Sequence, residues 1–247
     1  STVDSLVTLT GTNAYTIVIN EVDATGSTAS ELNTIIEATS VNVDASAITD
    51  ISGNYIEISD LYTSDGVFGL GNEAITIQDE LTVAQANILD DLTTGVIEAT
   101  IGSARVSELL DDSTPLLDAN GNNAYTISIS ADDAAVSASD LNAINAITSI
   151  AVNLANVTSI TASDFNDLTT LNTNRGEFSN ITGITAITVT DNGGGAESVD
   201  YGTLETIIDN YQTNFNSSAV FSLQSGDTIV IDSSSELSAF LADVASG

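Results

Sequence analysis

The chain has no cysteine, methionine, tryptophan, histidine or lysine, one proline (Pro115), and two arginines, Arg105 and Arg175, against 35 aspartates and glutamates. Each absence removes a class of chemistry. Without cysteine there is no disulfide, no thiol nucleophile and no thiolate zinc site. Without histidine there is neither a Ser-His-Asp triad nor an imidazole metal ligand. Without lysine there is no Schiff base and no phosphate-loop lysine. Two arginines cannot neutralise a run of phosphates, so nucleic acid is excluded as a partner, and an anionic membrane surface is disfavoured on the same ground. No stretch reaches the ~20 apolar residues of a membrane-spanning helix, and no basic segment precedes an apolar run at the N-terminus. Membrane insertion is therefore not expected.

What remains is acidic but not poor in apolar residues. The formal charge is -33, yet 42% of residues are hydrophobic, and they fall into periodic groups. That combination favours a folded chain over a disordered one. Its self-repulsion is relieved in salt, because the Debye length falls from ~8 Å at 0.15 M to ~3 Å at 1 M. An extracellular or cell-surface setting is expected, where the lack of easily oxidised sulfur side chains is also an advantage.

The chain contains itself twice. Asn13-Ala14-Tyr15-Thr16-Ile17 returns as Asn123-Ala124-Tyr125-Thr126-Ile127, and Leu61, Thr63, Gly66 and Phe68 return as Leu171, Thr173, Gly176 and Phe178, all displaced by 110 residues. The whole of 1–247 reads as one continuous array, with a duplication of about 11–120 and 121–230, a partial repeat at 1–10 and a terminal strand and helix at 226–247. Val3-Asp4-Ser5-Leu6 resembles Val106-Ser107-Glu108-Leu109, so the sequence begins partway through a repeat, as a processed protein or a segment of a longer one would.

A shorter period lies beneath. Strand-like runs occur at Ala14–Ile19, Ala74–Gln78, Ala124–Ile129, Ala186–Thr190 and Asp227–Ile231, with a second set at Val41–Ala45, Val96–Ile101, Ile150–Leu154 and Ala219–Leu223. Thr28-x-x-Glu31, Thr82-x-x-Gln85 and Ser233-x-x-Glu236 fit the capping box, and Ser137-x-x-Asp140 is a weaker relative. Apolar residues follow each at helical spacing, as in Leu32, Ile35 and Ile36 or Leu141, Ile144 and Ile147. Shorter helical pieces are expected at 104–110 and 164–171, and a turn around Tyr62–Phe68. One strand and one short helix every 23 to 35 residues predicts an α/β fold built as a right-handed solenoid, with leucine-rich-repeat-like coils and parallel strands. The alternative is a doubly wound parallel α/β sheet.

Carboxylates are the remaining reactive groups. The adjacent pairs Asp90-Asp91, Asp111-Asp112 and Asp132-Asp133 do not read as two acids facing across a sugar, and there is no tryptophan to stack on one. A carbohydrate-active enzyme ranks third, and the chain reads as a non-enzyme with no catalytic residues. Calcium is the expected ion if any binds, since it takes oxygen ligands from loops. The candidate ligands are Asp118, Asn120 and Asn122, where oxygen-bearing side chains alternate, and Asp191, Asn192 and Glu197 around a triple glycine. Neither loop completes a known calcium pattern: Asn123 stands where an EF-hand loop needs glycine and Ile129 where it needs glutamate. Turn formation accounts for the same residue types. Tyr15 and Tyr125 read as core packing rather than a ligand platform, and Arg105 and Arg175 as partners of nearby acids such as Glu108 and Glu177.

The segment Leu81 to Ile101, preceded by Gly69 to Ile77, resembles repeats in very large secreted and cell-surface proteins of marine cyanobacteria. The resemblance implies surface-layer, adhesion or motility roles and carries no catalytic residues with it. Together these readings point to a structural repeat protein of an extracellular surface layer, matrix or filament, self-associating through repeat ends or sides. Its partners would be copies of itself or adjacent repeats, with glycans or cell-surface polymers as further candidates. The alternative is a calcium-dependent adhesin or glycan-binding module.

Overall fold

A computed structural model describes residues 13–20, 26–119, 121–189, 198–216, 218, 220–223, 228–231 and 233–246. Two compact units are present: one comprises the chain up to Ile127 together with Ile147–Ile150, the other Ser128–Ala146 with the chain from Ala151 on.

In the first unit the elements are β1 (Ser27–Thr28), α1 (Ala29–Glu37), β2 (Val43–Asp44), β3 (Asp50–Gly53), α2 (Tyr55–Thr63), β4 (Val67–Phe68), β5 (Ala74–Leu81), α3 (Val83–Asp90), β6 (Ile97–Ile101), α4 (Val106–Leu109) and β7 (Ala124–Thr126). The second holds β8 (Ala135–Ser137), α5 (Ala138–Asn145), β9 (Val152–Asn153), β10 (Ser159–Ala162), α6 (Phe165–Thr173), β11 (Phe178–Ser179), β12 (Ala186–Val189), β13 (Ser198–Asp200), α7 (Tyr201–Asn214), β14 (Val220–Ser222), β15 (Thr228–Val230) and α8 (Ser234–Ser246). The fold is α/β with open parallel sheets. The first unit has a five-stranded sheet in the order β1-β3-β5-β6-β7 and a β2-β4 pair; the second has a four-stranded sheet, β8-β10-β12-β14, and the pairs β9-β11 and β13-β15. Strands lie side by side in their order along the chain, without the reversal that marks a doubly wound sheet.

Local chemistry sets the helix starts. The Thr28 hydroxyl accepts from the Glu31 amide at 3.2 Å, and the Glu31 carboxylate accepts in return from the Thr28 amide and hydroxyl. Asn54 and Glu57 close the same box on α2, and Thr82 and Gln85 on α3. The Ser137 and Ser233 hydroxyls cap α5 and α8 by accepting from the amides of Asp140 and Glu236. Such a cap contributes about 1 kcal/mol.

The apolar stripes of α1, α2, α5 and α6 enter the core: Leu32 and Ile35, Ile58 and Leu61, Leu141 and Ile144, and Leu168 and Leu171 are all buried. Ile51, Ile75 and Ile97 face one another in register across β3, β5 and β6, and Ile160 and Ile187 do so across β10 and β12. Each full burial of such a side chain is worth roughly 1.5–3 kcal/mol.

Hydrogen bonds between successive strand–helix segments recur at matched positions. The hydroxyls of Thr39, Thr93 and Thr148 donate to the carbonyls of Tyr15, Glu73 and Tyr125, each at 2.7 Å. The same three oxygens accept from the amides two residues on, Val41, Gly95 and Ile150. Asn33 and Asn142 donate to the carbonyls of Glu57 and Asp167 in the next helix, each at 3.0 Å. Asn87 donates to Pro115 O and accepts from Leu117 N.

Some expectations changed. Ala14–Ile19, expected as a full strand, is not one; among the described residues it is joined by an isolated bridge of Val18 with Asp44, beside one of Asn13 with Thr39. The turn expected around Tyr62–Phe68 begins only after α2 ends at Thr63, and it finishes in β4. The helices α2 and α7 add to those read from the sequence. Among the described residues no helix is long and apolar enough to cross a membrane.

Candidate functional site

The first candidate calcium loop is a turn fastened to a buried polar cluster. Asp118 Oδ1 accepts from the amides of Asn122 and Asn123 at 3.1 and 3.2 Å, and the Gly121 amide donates to Asp118 O. Gly121 has φ of +71°, a conformation that glycine adopts without strain. This is the turn chemistry that Asp, Asn and Gly supply. Asn122 is exposed, and Asn120 lies outside the described residues.

Behind the turn, the wholly buried Asn123 uses its carboxamide three times. Its oxygen accepts from Ile97 N at 2.9 Å, and its nitrogen donates to Asp90 Oδ1 at 2.8 Å and to the Tyr125 hydroxyl at 3.0 Å. Asp90 Oδ2 takes the amide of Ala119. Burial, with Asp90 and Asp118 nearby, pushes the Tyr125 hydroxyl far above its ordinary range, against the opposing Asn123 bond. Tyr125 is therefore a neutral core residue tied into a polar lock. Sequence reasoning placed both Tyr15 and Tyr125 in the core; Tyr125 is buried but Tyr15 is 41% exposed, and the sequence did not reveal Asp90 or Asn123 as partners of Tyr125.

The second candidate loop, Asp191, Asn192 and Glu197, lies outside the described residues. Among the described residues no three carboxylates come together in a group able to hold a metal ion. Glu73 is buried and spends its carboxylate on the amides of Gly71 and Asn72. The Arg175 guanidinium donates to Asn172 O, and Glu177 takes the Asn145 amide at 2.6 Å.

Two of the grooves formed by the described residues are open enough to admit a ligand. One of about 740 Å³ lies against Leu81, Val83, Ile88 and Ala104, with Glu108 and Asp111 at its rim. Both rim carboxylates are engaged locally, Glu108 with the Arg105 amide and Asp111 with Ser113 and Thr114. The other, about 310 Å³, lies between α6 and α7 around Leu168, Asn172 and Ile207.

The remaining feature is a set of open edges. β7 covers β6, pairing Glu98 with Ala124, Ala99 with Tyr125 and Thr100 with Thr126. β14 and β15 are the last strands of their sheets, and Val220, Ile229, Val230, Leu237 and Leu241 on and behind them are exposed. In α1, α2, α3, α5, α6 and α7 the side chain four residues after the cap is buried (Leu32, Ile58, Ala86, Leu141, Leu168 and Leu204), whereas its counterpart in α8, Leu237, is 48% exposed. No protein-family model, curated protein or solved structure matches the chain.

Proposed function

We propose that the chain is a structural repeat protein of an extracellular surface layer, matrix or filament, built of right-handed strand–helix coils and joined to further coils through its open edges. The observation that carries this reading is the agreement of sequence duplication with structural position. The threonine rung closed by Thr39 on Tyr15 returns as Thr148 on Tyr125, and the asparagine brace of Asn33 returns at Asn142. Parallel strands added in chain order, with like residues at like positions, are what stacking of equivalent coils produces. A chain whose buried polar groups are spent on bracing one coil to the next is organised for building.

Localisation outside the cell follows from the charge of -33 and the lack of oxidisable sulfur. Sedimentation velocity tests the reading. Species larger than one chain should grow with protein concentration and with NaCl between 0.05 and 1 M, as screening removes repulsion. A monomer throughout would contradict it. A rise in melting temperature on adding millimolar calcium, reversed by chelator, would instead favour the calcium-dependent adhesin that draws on Asp118 and Asn122.

A further inference from the structure

Helices α1 and α5 each brace a neighbouring helix: Asn33 donates to Glu57 O in α2, and Asn142 to Asp167 O in α6. The asparagine at the same position of α3, Asn87, is bonded instead to Pro115 O and Leu117 N in the segment beyond α4. α4 itself has four residues, where α2 and α6 have nine. The groove of about 740 Å³ lies along α3 from Thr82 to Ile88, against Ala104 and Ser107.

One residue of that wall departs from the pattern of the chain. Six residues after their caps, α1, α2, α5, α6 and α7 carry Thr34, Asp60, Ala143, Thr170 and Thr206, each small or polar. The same position in α3 holds Ile88, which is 47% exposed and lines the groove. With Leu81, Val83, Ala84 and Ala104 it makes an apolar surface. Carboxylates stand beside it: Glu108 and Asp111 at the rim, and Glu80, whose Oε2 lies 3.6 Å from the place a Cβ on Gly102 would take. The bonds that Asp111 accepts all fall on Oδ1, so among the described residues Oδ2 has no partner. None of the side chains lining the groove is cationic.

We propose that the α3 groove docks a basic amphipathic helix of a partner protein, with its apolar stripe on Val83, Ala84 and Ile88 and its lysines or arginines against Glu80, Glu108 and Asp111. A helix is what the chain itself places beside the matching asparagine of α1 and α5, and helices packed in this way lie about 8–10 Å apart. From Thr82 to Ile88 the wall runs about 9 Å, which suits apolar anchors at i, i+3 or i+4 and i+7. Charge selects the partner. A second copy of this chain, with no lysine and two arginines, is a poor source of cations. The charge of -33 draws a basic segment in from a distance, and the apolar wall fixes where it stops. The site lies within the first unit and does not depend on the open edges.

A synthetic peptide of about 14 residues, with leucine at i, i+3, i+4 and i+7 among lysine and alanine, is the probe. Its fluorescence anisotropy is read in about 0.5 M NaCl, which shortens the reach of diffuse attraction to the acidic chain. The native chain should bind the peptide, with NMR amide shifts concentrated at residues 82–88 and 102–108. Ile88→Thr, which installs the residue type of Thr34, should weaken binding by about tenfold or more. Ile56→Thr, at an isoleucine 62% exposed on α2 and outside the groove, should change it by less than about twofold. A peptide of the same composition in scrambled order, and one with glutamate in place of lysine, should each bind about tenfold more weakly or worse. Equal affinity of the two isoleucine variants, shifts spread over both units, or equal binding of either control peptide would overturn the proposal. Self-association of the native chain that Ile88→Thr alone abolishes would also overturn it, by making a second copy the occupant. Failure of the native chain to bind the peptide would overturn it as well, and would leave the structural-repeat reading to its own sedimentation test.

Discussion

At the scale of single residues, oxygen-bearing side chains here mostly serve the backbone beside them. Asp111 shows this most clearly: one carboxylate oxygen accepts from the amides of Ser113 and Thr114 and from both hydroxyls. These bonds, led by the Ser113 hydroxyl, hold its carboxyl at about 2, below the ordinary value of 3.8. The folded state thus binds this proton less readily than the unfolded one. Its stabilising contribution is complete above the unfolded value and is lost as pH falls through the folded value of about 2. The carboxyl carbon of Asp111 should titrate by NMR near that lower value, and the Ser113 amide should lose its shift with the same midpoint. A midpoint near 3.9 would show that the turn does not hold the carboxylate. Gly95 has a different necessity, since a Cβ there would run into the carbonyl of Glu73.

At the scale of elements, α1, α3 and α5 are each anchored at the start by a cap and beyond the end by a threonine bonded to a carbonyl 20 to 24 residues back. Thr93 is buried and makes both bonds of the rung, to Glu73 O and from Gly95 N. Thr93→Val keeps the shape and strands both backbone groups, which should cost about 1–3 kcal/mol in urea denaturation, while Thr93→Ser should retain most of it. A loss below about 0.5 kcal/mol for the valine variant would mean that the rung does not brace the segment.

Much of this level was legible in the sequence. The boxes at Thr28 and Thr82 and the caps at Ser137 and Ser233 each start a helix, and Ala74, Ala186 and Thr228 open or lie within strands where branched residues concentrate. α2 escaped because Ile56 and Ile58 alternate like a strand, although Asn54-x-x-Glu57 was a box with asparagine in place of a hydroxyl. α7 carried a readable stripe in Leu204, Ile207 and Tyr211. β3 and β10 carry little apolar signal; register with their neighbours makes them strands. The Asp90–Asn123–Tyr125 lock was not legible, because its members come from separate segments that only folding brings together.

At the scale of the molecule, a charge of -33 and open apolar edges act in opposite senses. Repulsion keeps copies apart in dilute buffer, and salt leaves the short-range strand and apolar contacts in control. Exposed edges of this kind are a liability in a monomer and a joint in an assembly. Hydrogen exchange of the native chain in 1 M NaCl, compared between low and high protein concentration, tests this most directly. Amide protection should rise with concentration at residues 14–17, 220–222 and 228–230, and stay unchanged at 124–126, where the strand is already paired. Protection that does not depend on concentration, or that rises only elsewhere, would contradict assembly through the repeat ends.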